Sequence, residues 1–188
     1  MDVTSFNSKR APISELNRLF NYRYDVFVKH LKWDLYLSED NHELKFEIDQ
    51  FDNTHTHYVV AKDTNDNIIG CARLLPTSQD YLLEEVFPEL LNGRQAPKSD
   101  FIWELSRFTA MDLVSHGLET KPDLISEASI ELMSATLRIA KKLGAKKIVS
   151  VSPVGVERML RMAGFKARRM GPPTRVNGFN LVGCVIDL

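Results

Sequence analysis

The chain has 188 residues, with 24 Lys plus Arg against 25 Asp plus Glu and a formal charge of −1. That length suits a single domain able to bury a core without disulfides, and the even charge balance argues against a nucleic-acid binder or an acidic tail. Cys71 and Cys184 lie in apolar strand-like runs, as reduced core thiols of a cytosolic protein do. The opening MDVTSFNSKRAP is too polar for a secretory signal, and the longest clear apolar run, Leu181 to Ile186, is too short to span a bilayer. A cytoplasmic protein is expected, with oligomeric state left open.

From Ser14 to about Lys32 the pattern is helical, with Leu16, Leu19, Phe20, Arg23, Phe27 and Leu31 along one stripe. Arg23 is the unusual member, since its stem can pack while its guanidinium seeks a carboxylate. Trp33 follows as that helix ends. Residues 34–47 read as a polar loop of a length often used for lids or binding. The segment FEIDQFDN then sets Asp49 and Asp52 among Phe46, Ile48 and Phe51, as metal ligands, ion-pair partners or N-caps. His55 and His57 stand near, but an extended His-x-His with no further ligand set is a weak metal signal, and no metal is expected.

His57 to Lys62 and Ile68 to Leu75 read as a hairpin around the turn formers Asp63 to Asn67. Arg73 lies inside its second strand, and Pro76 ends it. Tyr81 to Leu91 is a short helix or an irregular segment stopped by Asn92-Gly93. Phe101 to Met111 (FIWELSRFTAM) has the aromatic and branched composition of a central strand, yet holds Glu104, Ser106 and Arg107 in its middle. In a regular strand Glu104 and Arg107 point to opposite faces, so joint service in one site requires a bulge; the alternative is an edge strand with a solvated polar face. Ser126 to Gly144 is a capped helix, Lys146 to Ser152 a buried strand, and Ser152-Pro153 the start of a further helix to about Ala163. Phe165 to Met170 and Phe179 to Ile186 complete the strands around a Gly171-Pro172-Pro173 turn. The order predicts a mixed α/β domain built on one sheet.

Six charges are embedded in apolar segments: Arg23, Arg73 and Arg107, with Asp49, Asp52 and Glu104. Buried charges are tolerable when paired, so three of each sign predict one partly buried network, either structural or catalytic. Near the C-terminus Arg158, Arg161, Lys166, Arg168, Arg169 and Arg175 occur with no acid between 158 and 186. That run is a solvated face or a dock for an acidic partner.

Arg23, Phe27 and Trp33, Asp49 and Asp52, Arg73, then Glu104, Ser106 and Arg107, with their flanking text RYDVF, EIDQFD, ARLLPT and WELSRF, resemble the signature of the acyl-homoserine-lactone synthases, the autoinducer synthases of bacterial quorum sensing. The resemblance runs through almost the whole chain and implies one synthase domain over residues 1–188. It implies a single-domain N-acyltransferase-like fold with a central, mostly antiparallel twisted sheet flanked by helices. The implied substrates are S-adenosylmethionine, which is a substrate and not a cofactor, and a fatty acyl thioester, usually on acyl carrier protein. The amine attacks the thioester, and the methionyl carboxylate then closes the lactone and expels methylthioadenosine.

On that reading Glu104 is the base, directly or through water, held by Arg73 and Arg107, which lower its basicity. Ser106 gives a supporting hydrogen bond, Asp49 and Asp52 order the cleft, and backbone amides at a bulge hold the oxyanion. Arg23, Phe27, Trp33, Arg107 and Phe108 form the S-adenosylmethionine pocket. The resemblance assigns the acyl tunnel to Leu105, Phe108, Ile148, Ser150, Val151, Ser152, Met159, Leu160 and Phe165. Ser150 either binds an oxygen at the third acyl carbon or is a small filler. Arg158, Arg161, Lys166, Arg168 and Arg169 would dock the carrier protein. An ordinary acetyl-coenzyme A-dependent N-acyltransferase is disfavoured: the letters RMAGFKA (Arg161 to Ala167) fit its phosphate turn but sit at a helix end, and Thr120 to Pro122 lacks the pattern. A non-catalytic module binding carrier protein or a nucleotide is the other alternative.

Overall fold

The computed structural model describes residues 1–113, 126–176 and 178–188. Eight strands among them form one sheet: β1 (Asp2–Asn7), β2 (His57–Lys62), β3 (Ile68–Pro76), β4 (Ile102–Thr109), β5 (Lys147–Pro153), β6 (Ala167–Arg169), β7 (Thr174–Val176) and β8 (Phe179–Asp187). Their spatial order is β1-β2-β3-β4-β5-β8-β6, with β7 also on β8. Every pairing is antiparallel except β4 with β5. That parallel pair matches only Ile102–Glu104 with Lys147–Val149, after which the two strands part.

One face of the sheet carries Val59, Ala72, Leu74, Trp103, Leu105 and Ile148, covered by Leu132, Met133, Leu137 and Ala140 of the long helix Glu127–Lys142. Ser126 caps this helix through the Ser129 amide, as its sequence predicts. Gly70 allows the close approach: a Cβ there would stand 2.9 Å from Leu132 Cδ2. The opposite face is divided. At one end Leu19, Phe20 and Phe27 cover Tyr58, Val60 and Cys71; at the other Tyr81, Leu83, Leu90 and Leu91 cover Leu75, Val149 and Val185.

Several local expectations are corrected. The predicted helix Ser14 to Lys32 is α1 (Ile13–Arg23) followed by a π-helical stretch, Tyr24–His30. Apolar spacings of three and four do not distinguish the two windings, and the change falls at Arg23, beside the charged cluster described below. The 34–47 loop contains α2 (Glu39–Leu44), capped by Ser38. The 81–91 segment, expected as a short helix or an irregular stretch, is a short helix, α3 (Leu82–Glu85), and a 3₁₀ turn, Pro88–Leu91, ended as expected by Asn92 and Gly93, both left-handed. The long helix Glu127–Lys142 is α4. The next helix, α5 (Val154–Met162), starts after Pro153, and Ser152 does not cap it; the Ser152 hydroxyl instead meets Ser150 Oγ at 3.1 Å. β1 and β7 carry no apolar alternation because they are short, largely exposed outer strands. No helix among the described residues is long and apolar enough to cross a membrane.

Candidate active site

The bulge that joint use of Glu104 and Arg107 demands is present. Arg73 pairs with Ser106 and Cys71 with Thr109, so Ala72 faces two residues, Arg107 and Phe108. Arg107 takes the left-handed conformation, φ 51°, which a non-glycine residue adopts only when its surroundings enforce it. The extra residue returns Arg107 to the face that carries Ser106. Phe108 turns away with Trp103 and Leu105 toward α4. Phe108 thus packs with the cluster under α4, whereas Phe27 packs with the cluster on the opposite face.

On that face three arginines and three acids alternate in a closed ring. Arg23 grips Asp52 through both Nη atoms at 2.8 Å and donates from Nε to Glu47 at 2.6 Å. Arg107 donates to both oxygens of Glu47 at 2.8–3.1 Å and to Asp49 at 2.8 Å. Arg73 donates to Asp49 at 2.5 Å and lies 3.2 Å from Asp52, which closes the circuit. Each guanidinium also faces an aromatic ring at 5.4–5.7 Å: Arg23 over Phe20, Arg73 over Phe51, Arg107 over Phe27. Tyr58 donates to Asp52 at 2.8 Å, and the Asp49 amide does so at 2.9 Å.

Glu47, not Glu104, is the third acid of this ring, which corrects the sequence expectation. The signal was available: in KFEID, Glu47 and Asp49 are two apart and alternate with Phe46 and Ile48, which pack into the apolar cluster around Phe20 and Tyr58. Burial alone would raise the Glu47 pKa, but the charges and hydrogen bonds of Arg23 and Arg107 outweigh it and hold the carboxyl at about 2. The same contest leaves Asp52, between Arg23 and Arg73, well below the usual carboxylate range.

Glu104 is bound differently. Its two oxygens accept the backbone N–H groups of Leu82 (2.9 Å) and Leu83 (2.8 Å), at the start of α3. Among the described residues no arginine pairs with it, contrary to the expectation that Arg73 and Arg107 hold it. Burial dominates, and against the lowering effect of the two amides and the Arg73 charge it pushes the pKa up to about 7. The arginines thus hold Glu47 and Asp52 low, while burial pushes Glu104 toward neutral.

Phe27 and Trp33 stack at 4.7 Å, with Phe27 buried and Trp33 38% exposed at the rim. Leu105 and Ile148 of the sheet and Met159 and Leu160 of α5 share one apolar layer, with Phe108 and Phe165 against it. Ser150 and Ser152 lie on the Ile148 face of β5. Val151 belongs to the opposite face, with Phe51 and Leu75, so strand alternation removes it from any tunnel lined by Ser150 and Ser152. His57 approaches the Asn7 side chain at 3.3 Å and packs edge-on against Trp103.

The basic C-terminal run is partly neutralised. Buried Glu157 pairs with Arg161 (2.8 Å) and Arg169 (2.9 Å), and Arg168 stands 3.7 Å from Asp187. Both acids lie just outside the acid-free window 158–186, which is how a linear reading passes over them. Arg158, Lys166 and Arg175 are exposed and have no acidic partner among the described residues. Arg161 to Ala167 is indeed a helix end, with Gly164 left-handed at φ 85°; Thr120 to Pro122 lies outside the described residues.

A mostly antiparallel sheet whose one parallel pair, β4 and β5, separates after three residues, beside a buried acid, defines an N-acyltransferase-like protein. The chain matches the family model described as Autoinducer synthase over residues 7–187. It is 48% identical over 168 residues to an acyl-homoserine-lactone synthase of Acinetobacter nosocomialis, covering 89% of each chain. It superposes on TofI, solved in a ternary complex with an inhibitor and MTA, with a TM-score of 0.82 at 37% identity, covering 100% of this chain and 91% of that one. It superposes equally, TM-score 0.82 at 28% identity over 99% and 88% of the chains, on MesI, a CoA-dependent acyl-homoserine lactone synthase. The chain belongs to the autoinducer synthase family and is an acyltransferase of the acyl-homoserine-lactone synthase kind.

Proposed function

We propose that this protein acylates the amine of S-adenosylmethionine from a fatty acyl carrier protein thioester and then closes the product to an N-acyl-L-homoserine lactone. The observation that carries the reading is Glu104, a buried acid whose pKa of about 7 suits proton uptake from an amine near neutral pH. The neutral amine attacks the thioester carbonyl, a C–N bond forms, and its proton passes to Glu104, directly or through a water. The C–S bond to the carrier then breaks and the thiolate leaves with that proton. In the second step the methionyl carboxylate attacks the carbon next to the sulfonium, and methylthioadenosine departs.

Phe27 and Trp33 would wall the sulfonium nucleoside, aromatic faces being good neighbours for a cation. The ring of Arg23, Glu47, Arg107, Asp49, Arg73 and Asp52 would fix the bulged strand on which Glu104 stands. The acyl chain would pass where β4 and β5 part, into the layer of Leu105, Ile148, Met159 and Leu160. The presence of MTA in TofI supports the nucleoside assignment. The coenzyme A dependence of MesI makes the donor the finer question. Purified protein supplied with matched acyl-carrier-protein and acyl-coenzyme A thioesters should release methylthioadenosine faster from the former. A clear preference for the coenzyme A ester contradicts the carrier assignment. No methylthioadenosine from either contradicts the reading as a whole.

Two substitutions examine the parts. Arg158→Glu with Lys166→Glu reverses two of the unpaired basic charges and should raise KM for the carrier-bound substrate without altering kcat. A KM unchanged across salt concentrations moves the dock elsewhere. Ser150→Ala removes a hydroxyl bonded, among the described residues, to Ser152 and should weaken any preference for acyl chains oxygenated at the third carbon. An unaltered product profile by mass spectrometry would make Ser150 filler. The cell compartment expected is the cytoplasm, where both substrates are made.

A further inference from the structure

Arg73 has one nitrogen left over. Its Nη1 serves Asp49, and its Nε donates to Ser106 Oγ at 2.9 Å, but Nη2 is buried and meets no acceptor among the described residues. Arg73 is 1% exposed, so bulk water does not solvate that N–H. A buried donor without an acceptor loses its hydration uncompensated, which points to an acceptor from outside the chain. Nε and Nη2 share one edge of the planar guanidinium, the edge with which Arg107 holds Glu47. The bare N–H therefore lies beside Ser106. Ser106, itself buried, accepts from Arg73, and no described neighbour accepts the proton of its hydroxyl. Two donors thus adjoin on the face of β4 that also carries Glu104, two residues earlier.

We propose that Arg73 Nη2 and the Ser106 hydroxyl bind the thioester carbonyl oxygen and hold the oxyanion formed when the amine attacks. This rests on the acyl-transfer reading above. It transfers the task expected of backbone amides at the bulge to two side chains. A substrate carboxylate suits the position less well. A carboxylate engages two parallel N–H groups of one guanidinium, and the Nε of Arg73 is committed to Ser106. The surrounding ring balances three arginines with three acids and has no net charge to attract a further anion. One N–H and one O–H from separate groups suit a single oxygen whose charge develops in place. As the C–N bond forms, the carbonyl electron pair moves to that oxygen; when it returns, the C–S bond breaks and the thiolate takes the proton held by Glu104.

The variant that tests this is Ser106→Ala, which leaves every ion pair of the ring intact. It should lower kcat by about 100- to 1000-fold, the usual effect of one oxyanion donor, with KM for S-adenosylmethionine unchanged, and Ser106→Thr should restore most of the loss. A raised KM for S-adenosylmethionine with kcat retained would assign the donors to the substrate carboxylate and overturn the proposal, and wild-type kinetics would overturn it too. A binding measurement needs no turnover. Calorimetry compares an acyl-pantetheine analogue whose thioester sulfur is replaced by methylene, leaving a ketone, with its fully reduced hydrocarbon counterpart. The wild type should favour the ketone by about tenfold, and Ser106→Ala should lose that preference. Equal binding of both analogues by the wild type overturns the site even if methylthioadenosine is released, whereas a ketone preference without turnover sinks only the reaction reading.

Discussion

Glu104→Gln should reduce kcat by between about one hundred- and ten thousand-fold, the range that removal of a positioned general base produces, while the protein remains folded. Gln keeps the side-chain length and an oxygen for one of the Leu82 and Leu83 amides, and it removes a charge that burial disfavours. The linkage sign supports survival of the fold. The folded-state pKa, about 7, lies above the ordinary value of 4.5. Stability associated with the neutral acid is therefore present at low pH and declines as pH rises through about 7. Removing the ionised form does not weaken the native state. Turnover should be followed as methylthioadenosine release, and folding by near-ultraviolet circular dichroism. A folded Gln variant with wild-type kcat would exclude Glu104 from proton transfer.

The largest effect on stability is expected at Glu47. Glu47→Gln leaves Arg23 and Arg107 facing each other across a buried amide with one negative charge gone from the ring. Breaking such a pair by deleting one partner costs about 3–5 kcal/mol, a fall of roughly 6–20 °C in Tm for a chain of this size. Here the pKa is depressed, from 4.5 to about 2. The stabilisation is therefore complete above the ordinary value and lost as pH falls toward 2. Thermal melts of wild type and variant should differ most at neutral pH and converge in acid, because the proton does to the wild type what the substitution does to the variant. A difference that stays constant down to pH 2 would show that the carboxylate charge is not what the ring needs.

Much of this arrangement was legible along the chain because charges inside apolar segments are conspicuous. Arg23, Arg73 and Arg107 had to find acids, and the odd spacing of Glu104 and Arg107 required the bulge that β4 contains. Assigning Glu104 to those arginines failed for a physical reason. Counting charges balances the ring equally well with Glu104 or Glu47, and only the path of residues 45–53 decides between them. The α3 amides that hold Glu104 come from a segment with no sequence periodicity, so nothing in the text YLLEE marks its backbone as a carboxylate cradle. Val151 was grouped with Ser150 and Ser152 where consecutive residues were read as one surface; a strand sends neighbours to opposite faces. The basic C-terminal run looked free because its acids, Glu157 and Asp187, flank it and reach it only through the fold.

Burial pushes Glu104 toward a proton affinity suited to an amine, while the arginines hold Glu47 and Asp52 low. Carbon-13 NMR of glutamate-labelled protein tests this without reference to turnover. One carboxyl resonance should titrate with a midpoint near 7 and vanish in Glu104→Gln, while that of Glu47 stays in its ionised position down to about 2. If the Glu104 resonance instead titrates at the ordinary glutamate value of 4.5, the acid is not the base described here.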